Sequence, residues 1–177
     1  MNTLKKSWYL WWGWNPEKVE NWLELMESKG WNLYQVDMLA NRFKFKKDKR
    51  RTVRYCVDFQ PNIDAQYITI FADDTWELIW SNEIGWYIWK KEYEKERPSI
   101  YTDYNSLIER NNRLIGMLKP MFSFLIFIFL FLVFFRSNHV FINQLFWIYS
   151  VLITTYIVIF FQIKRSNKKL KKNRIKE

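Results

Sequence analysis

One pattern occurs twice in the chain, as WNPEKVENWLELMESKGWNL at residues 14–33 and as FQPNIDAQYITIFADDTWEL at residues 59–78. The two copies are 45 residues apart, and each begins with an aromatic residue two positions before a proline. Trp31 and Trp76 occupy equivalent positions near the ends of the two copies. Self-similarity at a fixed spacing indicates a repeated supersecondary unit. The sequence therefore predicts two units built alike.

The first copy contains a well-delimited helix. Asn15 can cap it, Pro16 suits its first position and Gly30 can end it. Apolar residues recur at i, i+3, i+4 and i+7, which gives the helix one apolar face. These residues are Val19, Trp22, Leu23 and Met26.

The second copy is ambiguous by itself, because residues 67–71 (YITIF) are also typical of a strand. The repeat favours a helix at this place. We expect its inward-facing residues to be Ile63, Tyr67, Ile70 and Phe71.

Alternating patterns predict the strands. In residues 53–59, the apolar set at odd positions alternates with Arg54, Cys56 and Asp58, which is typical of a strand with one buried face. Each unit, at about 6–46 and 51–91, thus reads strand, helix, strand, strand. We expect an α+β domain over residues 1–98, with one antiparallel sheet and both helices on a single face.

The C-terminal third predicts two transmembrane helices joined in a hairpin. Residues 114–135 and 140–163 are apolar runs long enough to cross a ~30 Å hydrocarbon core, and only the outer loop 136–139 separates them. A juxtamembrane helix at 99–113 is expected to lead into the first span.

Flanking charge predicts the orientation of this hairpin. The tail, residues 164–177, carries eight basic residues and one acidic residue, whereas the connecting loop offers Arg136 alone. Cationic flanks stay on the cytoplasmic side. We therefore expect both termini in the cytoplasm and a location in the plasma (inner) membrane.

The composition excludes several classes of protein. A single Cys excludes an intrachain disulfide framework, and a single His leaves no zinc cluster of the usual kind. An apolar content of 49% excludes a disordered chain. Phosphate-binding glycine loops, serine nucleophile elbows and HExxH motifs do not occur in the sequence. We predict a protein without cofactor, metal or enzymatic activity.

Three segments followed by a membrane hairpin resemble the domain of unknown function 2812 family. They are PEKVENWLELMESKGWNL (16–33), YCVDF (55–59) and YTDYNSLIER (101–110). Members of that family are often encoded beside PadR-type transcriptional repressors in Gram-positive bacteria. The resemblance therefore implies a sensing or signalling role at a membrane, with such a regulator as partner, and it implies no functional residues.

A basic segment, Arg42 to Arg54, carries eight cationic residues and one acidic residue. One interpretation is nucleic-acid binding, with Phe43 and Phe45 stacking on bases. The favoured interpretation is contact with the anionic inner leaflet, to which the C-terminal tail would contribute. The residues predicted for lipid contact are Lys46, Lys47, Arg50, Arg51, Lys168, Lys169, Lys171 and Lys172.

Tryptophan is unusually frequent, with 11 residues. Most are expected in the core, but a core of this size cannot bury them all. A weaker hypothesis places four of them around a ligand pocket: Trp11, Trp31, Trp76 and Trp86. Cys56 is predicted on the strand face opposite the apolar set, as a reactive thiol or, in the favoured interpretation, as a structural or incidental one. Asn143 and Gln144 could hydrogen-bond across the hairpin or mediate dimerisation.

The leading function predicted from the sequence is a membrane-anchored cytoplasmic sensing or docking module that signals with a PadR-type regulator. The alternative is an accessory subunit of a transporter-like membrane complex, and a poorer alternative is an enzyme acting at the membrane surface. The expected partners are membrane lipids, one of these proteins and a second copy of the chain, whereas nucleic acid is not favoured.

Overall fold

The computed structural model describes residues 3–9, 15–37, 41–63, 65–98, 104–135 and 140–174. The chain divides into two compact units, Met1–Ser106 (unit 1) and Leu107–Glu177 (unit 2). Each unit is described by itself below.

Unit 1 contains the strand, helix, strand, strand order twice. The first repeat consists of β1 (Leu4–Trp8), α1 (Pro16–Ser28), β2 (Trp31–Val36) and β3 (Arg42–Lys47). The second consists of β4 (Val53–Phe59), α2 (Ala65–Asp73), β5 (Glu77–Ser81) and β6 (Trp86–Glu92). The α+β fold and its duplication are confirmed.

Each repeat forms its own antiparallel three-stranded sheet. Sheet 1 has the order β1-β3-β2 and sheet 2 the order β4-β6-β5, so the third strand of each repeat is central. Both sheets carry a register shift at the same place, between Leu33 and Gln35 in β2 and between Leu78 and Trp80 in β5. These two bulges are 45 residues apart and belong to the repeat.

The expectation of one continuous sheet was wrong, and at the β4 edge α1 supplies the reason. The free edge of β4 is occupied by side chains of α1, since Glu24 accepts a hydrogen bond from the Tyr55 N–H at 3.3 Å and Glu20 accepts one from the Val57 N–H at 2.9 Å. A covered strand edge cannot pair with another strand.

The expectation of both helices on one face was also wrong. The first core joins α1 to residues of both sheets, among them Leu23, Phe45 and Tyr55. The second core joins α2 to the opposite face of sheet 2, through Cys56 and Trp89. Sheet 2 is therefore covered on both faces, and β4 is buried along most of its length.

The inward face of α2 also differs from the prediction. Tyr67, Ile68 and Phe71 pack into the second core, whereas Ile70 is 66% exposed. Ile63 lies before the helix, which begins at Ala65, and is exposed. At about 3.6 residues per turn, Tyr67, Ile68 and Phe71 share one face of α2 and Ile70 lies outside it, so Ile70 points away from the sheet.

Unit 2 contains two antiparallel helices, α3 (Tyr104–Phe134) and α4 (Val140–Arg174). Both are long and apolar enough to cross a membrane. Ring stacking between Phe122 and Tyr156 and between Phe129 and Phe146 joins them, at centroid distances of 5.5 and 5.3 Å. The juxtamembrane segment from residue 104 and the first span form one continuous helix, and α4 likewise continues through the basic tail to Arg174. The predicted outer loop 136–139 lies outside the described residues.

Candidate membrane-contact surface

The solvent side of sheet 1 is lined by cations. Directly opposite residues of an antiparallel pair lie on the same face. The register of β1 and β3 thus places Lys6 beside Lys44, Leu4 beside Lys46 and Trp8 beside Arg42. We call this set the basic face: Leu4, Lys6, Trp8, Arg42, Lys44 and Lys46.

The three strands of sheet 1 carry six cationic residues and no carboxylate. Sheet 2, by contrast, has three cationic and three acidic residues in its strands. The two repeats share a fold but differ in charge. Of the two sheets, sheet 1 is the one whose strands carry a net positive charge, which an anionic partner requires.

Large apolar side chains are exposed among these cations. Leu4 is 61% and Trp8 66% exposed, and the Arg42 guanidinium lies 5.2 Å from the Trp8 ring centroid. Tyr34, at the bulge of β2, is exposed as well. Aromatic and aliphatic groups mixed with Lys and Arg are typical of surfaces that enter the interfacial layer of a bilayer.

Phe43 and Phe45 are fully buried on the other side of β3, where both contact the ring of Trp22. The disfavoured interpretation, in which these two rings stack on nucleic-acid bases, therefore does not fit their burial. Alternation along β3 directs the two rings into the first core and leaves Lys44, which lies between them, on the other face.

The residues predicted for lipid contact lie in different surroundings. Lys46 belongs to the basic face, and Arg50 is exposed in the loop that follows β3. Lys47 donates a hydrogen bond to the Lys29 carbonyl at 2.8 Å. Arg51 is held by Glu27 and Glu92. Four further lysines are exposed near the end of α4: Lys168, Lys169, Lys171 and Lys172.

Three of the tryptophans proposed for a pocket lie among the described residues, Trp31 and Trp86 at the first core and Trp76 in the second. Trp31 packs at the margin of the first core, with the ammonium groups of Lys5 and Lys47 at 5.3 and 4.9 Å from its ring centroid. Trp76 is 5% exposed in the second core and donates its indole N–H to Asp74 at 3.0 Å. Trp86 packs on Phe59, and Trp11 lies outside the described residues.

Sequence reasoning missed a row of carboxylates on α1. Glu20 and Glu27 are 3% and 0% exposed. Glu20 accepts a hydrogen bond from Arg54 at 3.0 Å, and Glu24 accepts one from the same guanidinium at 2.6 Å. Burial of such charges requires paired cations. The signal in the sequence is three glutamates at positions i, i+4 and i+7, together with two arginines three residues apart.

Glu27 is the most deeply buried carboxylate of this row. It accepts hydrogen bonds from the Tyr55 hydroxyl at 2.7 Å, the Leu33 N–H at 2.9 Å and the Asn32 amide at 2.7 Å, and it pairs with Arg51. Burial first, and the Glu27 carboxylate second, raise the pKa of Tyr55 well above its usual range. The cluster connects α1, β2 and β4, so its role is to fix the fold.

Cys56 is 2% exposed, in the second core beneath α2. The expectation that β4 has one buried face was wrong, because α2 covers the face that carries Cys56. The neighbouring Asp58 is also buried and accepts a hydrogen bond from the Tyr67 hydroxyl at 2.9 Å. Burial, together with the Asp58 carboxylate, raises the pKa of Tyr67.

A second missed feature is a set of asparagines between α3 and α4. The Asn111 amide donates to Asn167 at 2.7 Å, and the Asn167 amide donates to Asn112 at 3.0 Å. Asn143 and Gln144, which were expected to bond across the hairpin or between copies, are exposed on α4.

The comparisons with known proteins concern the segment from α1 into α3. The model of a family described as "Protein of unknown function (DUF2812)" matches residues 15–126. Neither a curated protein nor a solved structure matches the chain. The matched segment covers more than half of the sequence, and it contains both helices of unit 1 and five of its strands. The chain therefore belongs to the DUF2812 family.

Proposed function

We propose that this protein is a membrane-anchored, non-enzymatic docking module. In this proposal the hairpin of unit 2 is inserted in the bilayer, and the basic face of unit 1 contacts the anionic surface of the same membrane. The observation that carries the proposal is the composition of the basic face, with four cationic residues, no carboxylate and an exposed Trp8.

The orientation follows from the basic end of α4. The described part of this helix carries seven cationic residues after Ile163 and no acidic residue. Such an end is retained on the cytoplasmic side. We therefore place unit 1 and the C-terminus in the cytoplasm and the hairpin in the plasma (inner) membrane. Reporter fusions at residue 177 and within residues 136–139 test this, and an external C-terminus would contradict it.

Lipid is favoured over nucleic acid because of the apolar part of the basic face. Lysines and Arg42 can attract either polyanion. Leu4 and Trp8, however, gain free energy by entering an interfacial lipid layer, whereas a phosphate backbone offers them no apolar environment.

The partner in signalling is proposed from the family resemblance. A PadR-type regulator would bind unit 1, and a membrane-active compound that moved the basic face off the bilayer would alter this binding. Copurification of the regulator with the full chain from detergent, with and without such compounds, tests the partnership. Failure to copurify under both conditions would remove it.

A second candidate function, an accessory subunit of a membrane complex, is favoured by one observation. Asn143 and Gln144 are exposed polar residues in the uncharged part of α4 that precedes Lys164. Polar side chains on a lipid-facing surface commonly bond to another helix. Cross-linking from position 143 to an integral membrane protein other than this chain would support this function over the first.

A fluorescent label at the basic face tests membrane contact directly. We suggest the Trp8→Cys variant in a Cys56→Ser background, labelled with an environment-sensitive dye, in nanodiscs of phosphatidylcholine alone or mixed with phosphatidylglycerol. A blue shift is expected only with the anionic lipid. The Lys6→Glu/Lys44→Glu/Lys46→Glu variant is expected to lose it.

The matched control reverses three exposed lysines elsewhere in unit 1, Lys18, Lys29 and Lys95, and changes the net charge by the same amount. It is expected to keep the blue shift. An equal loss in both variants, or a shift with phosphatidylcholine alone, would contradict contact through the basic face. Binding of duplex DNA by the wild type that the first variant loses would favour nucleic acid instead.

A further inference from the structure

A groove of about 470 Å³ lies between α3 and α4. Its walls are aromatic and aliphatic, and two lysines stand at its margin. The residues that matter here are Lys119, Phe122, Tyr156, Phe160 and Lys164.

The walls of the groove are fixed by contacts between the helices. The Tyr156 hydroxyl donates a hydrogen bond to the Leu118 carbonyl at 2.9 Å, and its ring stacks on Phe122. Both contacts cross from α4 to α3. The groove is thus a feature of the packed hairpin.

None of the residues that line the groove is acidic, and Glu109, the acidic residue of α3, lies ten positions before Lys119. Lys119 and Lys164 are exposed, and no Asp or Glu occurs in residues 110–135 or 140–174. The Lys164 ammonium lies 4.7 Å from the centroid of the Phe160 ring, which keeps its stem along the wall. Two cations at the mouth of an apolar groove match a molecule with one anionic head and an apolar tail.

Position along the helices identifies the source of that molecule. Uncharged residues follow Lys119 in α3 and precede Lys164 in α4, so both lysines mark the end of the apolar segments. In an inserted hairpin, lysines at this place reach the headgroup layer. Basic pockets between transmembrane helices on the cytoplasmic side accept anionic headgroups.

We infer that this groove binds one molecule of anionic phospholipid from the cytoplasmic leaflet. The phosphate lies between the ammonium groups of Lys119 and Lys164, and an acyl chain lies against Phe122 and Phe160. A zwitterionic lipid binds less well, because its own cation meets the two lysines. This inference rests on the membrane insertion proposed above and not on the basic face of unit 1.

Native mass spectrometry of the full chain, released from detergent with added phosphatidylglycerol or phosphatidylcholine, tests the site. The wild type is expected to retain one phosphatidylglycerol molecule and to bind phosphatidylcholine about tenfold more weakly. The Lys119→Gln/Lys164→Gln variant is expected to lose this preference. The Lys119→Arg/Lys164→Arg variant, which keeps both charges, is expected to preserve it.

The matched control is Lys18→Gln/Lys29→Gln, which removes the same charge from exposed positions of unit 1. It is expected to bind like the wild type. Equal lipid retention by the groove variant and the control, or no preference in the wild type, would overturn the inference.

Carbonate extraction of the same variants from membranes separates the two proposals. A chain that stays in the membrane but shows no lipid preference contradicts the groove site alone. A chain released by carbonate contradicts insertion, and the groove site with it.

Discussion

Gly30 and Thr75 hold the same left-handed backbone conformation at the same place of the two repeats, with φ of 76° and 60°. Each follows the helix of its repeat and precedes the tryptophan that begins or borders the next strand. Glycine adopts this conformation without strain, whereas a β-branched residue does so at a cost. The second repeat therefore contains a strained residue that the first avoids.

Replacement of Thr75 by glycine is expected to stabilise unit 1 by about 1 kcal/mol, because the relieved strain exceeds the extra chain entropy of glycine. Urea unfolding of the full chain in detergent, followed by tryptophan fluorescence, measures this, since ten of the 11 tryptophans precede residue 90. The control Ala72→Gly, at an exposed position of α2, is expected to lose about 1 kcal/mol. A similar loss for both variants would contradict the assignment of strain.

The reverse substitution is not equivalent. A Cβ atom at Gly30 would lie 2.6 Å from the Asp48 carbonyl oxygen, so Gly30→Thr adds a backbone clash to the strain. We expect it to destabilise unit 1 by more than about 2 kcal/mol in the same unfolding experiment. A loss below that of Ala72→Gly would mean that the loop at Asp48 moves aside without cost.

Neutralising Glu27 is expected to be among the most damaging changes in unit 1. The Glu27→Gln variant leaves Arg51 without its buried partner, and a broken buried ion pair costs about 3 kcal/mol or more. The control Glu83→Gln lies in an exposed turn and is expected to unfold at the wild-type urea concentration. Adding Arg51→Gln to Glu27→Gln should cost little more, since the two residues act as a pair. Additive losses would contradict that coupling.

Unit 1 is expected to lose stability as the pH rises above about 10, the usual pKa of tyrosine. Burial and the Glu27 carboxylate raise the pKa of Tyr55 in the folded state. Between the two pKa values the folded state binds more protons than the unfolded chain, so the free energy of unfolding falls with rising pH. Below about pH 10 the contribution is fully present.

Urea unfolding between about pH 8 and about pH 11 measures this loss. The Tyr55→Phe variant is expected to be less stable at the lower pH, because the hydrogen bond to Glu27 is missing, but to lose less as the pH rises. Tyr34→Phe, at a half-exposed position, serves as the control and should follow the wild type. Identical pH dependence in all three proteins would exclude Tyr55 as a cause.

The repeat, the order of strands and helices along the chain and the hairpin were predictable because they depend on local patterns. Pro16 and Gly30 delimit α1 by their own backbone preferences, and the apolar runs of α3 and α4 exceed what a small domain can bury. Packing between elements, by contrast, depends on contacts between residues distant in sequence and cannot be read from local patterns. A glutamate such as Glu20 is expected in solvent until the free edge of β4 is known to lie beside it.

The candidate surface was predictable in its charge but not in its composition. Lys46 and Arg50 were found in the basic segment, whereas Lys6 and Trp8 of β1 join the surface only through pairing with β3. Arg51 belongs to the same sequence segment, yet it turns into the protein because Glu27 lies within reach. Such distinctions depend on contacts between residues distant in sequence.

The Cys56 thiol is expected to react slowly with a maleimide in the folded protein, since α2 covers it. Thiol reactivity requires access for the reagent. Labelling should accelerate at the urea concentration at which tryptophan fluorescence reports unfolding. The control is Ser81→Cys in a Cys56→Ser background, at an exposed position of β5, which is expected to react at once without urea. Fast labelling of native Cys56 would contradict the packing of α2 on sheet 2.

Removing the Asn167 side chain amide is expected to loosen the hairpin near its polar end. Asn167 bonds to Asn111 and Asn112, and a hydrogen bond between membrane helices contributes about 1 kcal/mol.

Spin labels at Gly116→Cys and Arg165→Cys, in a Cys56→Ser background, report the separation of α3 and α4 in nanodiscs. Asn167→Leu should broaden their distance distribution, whereas Asn173→Leu, exposed on the same helix, should not. Because Asn111 and Asn167 are the two partners of one hydrogen bond, adding Asn111→Leu to Asn167→Leu should broaden the distance distribution little further. Unchanged distributions in every variant would mean that ring stacking alone holds the helices together.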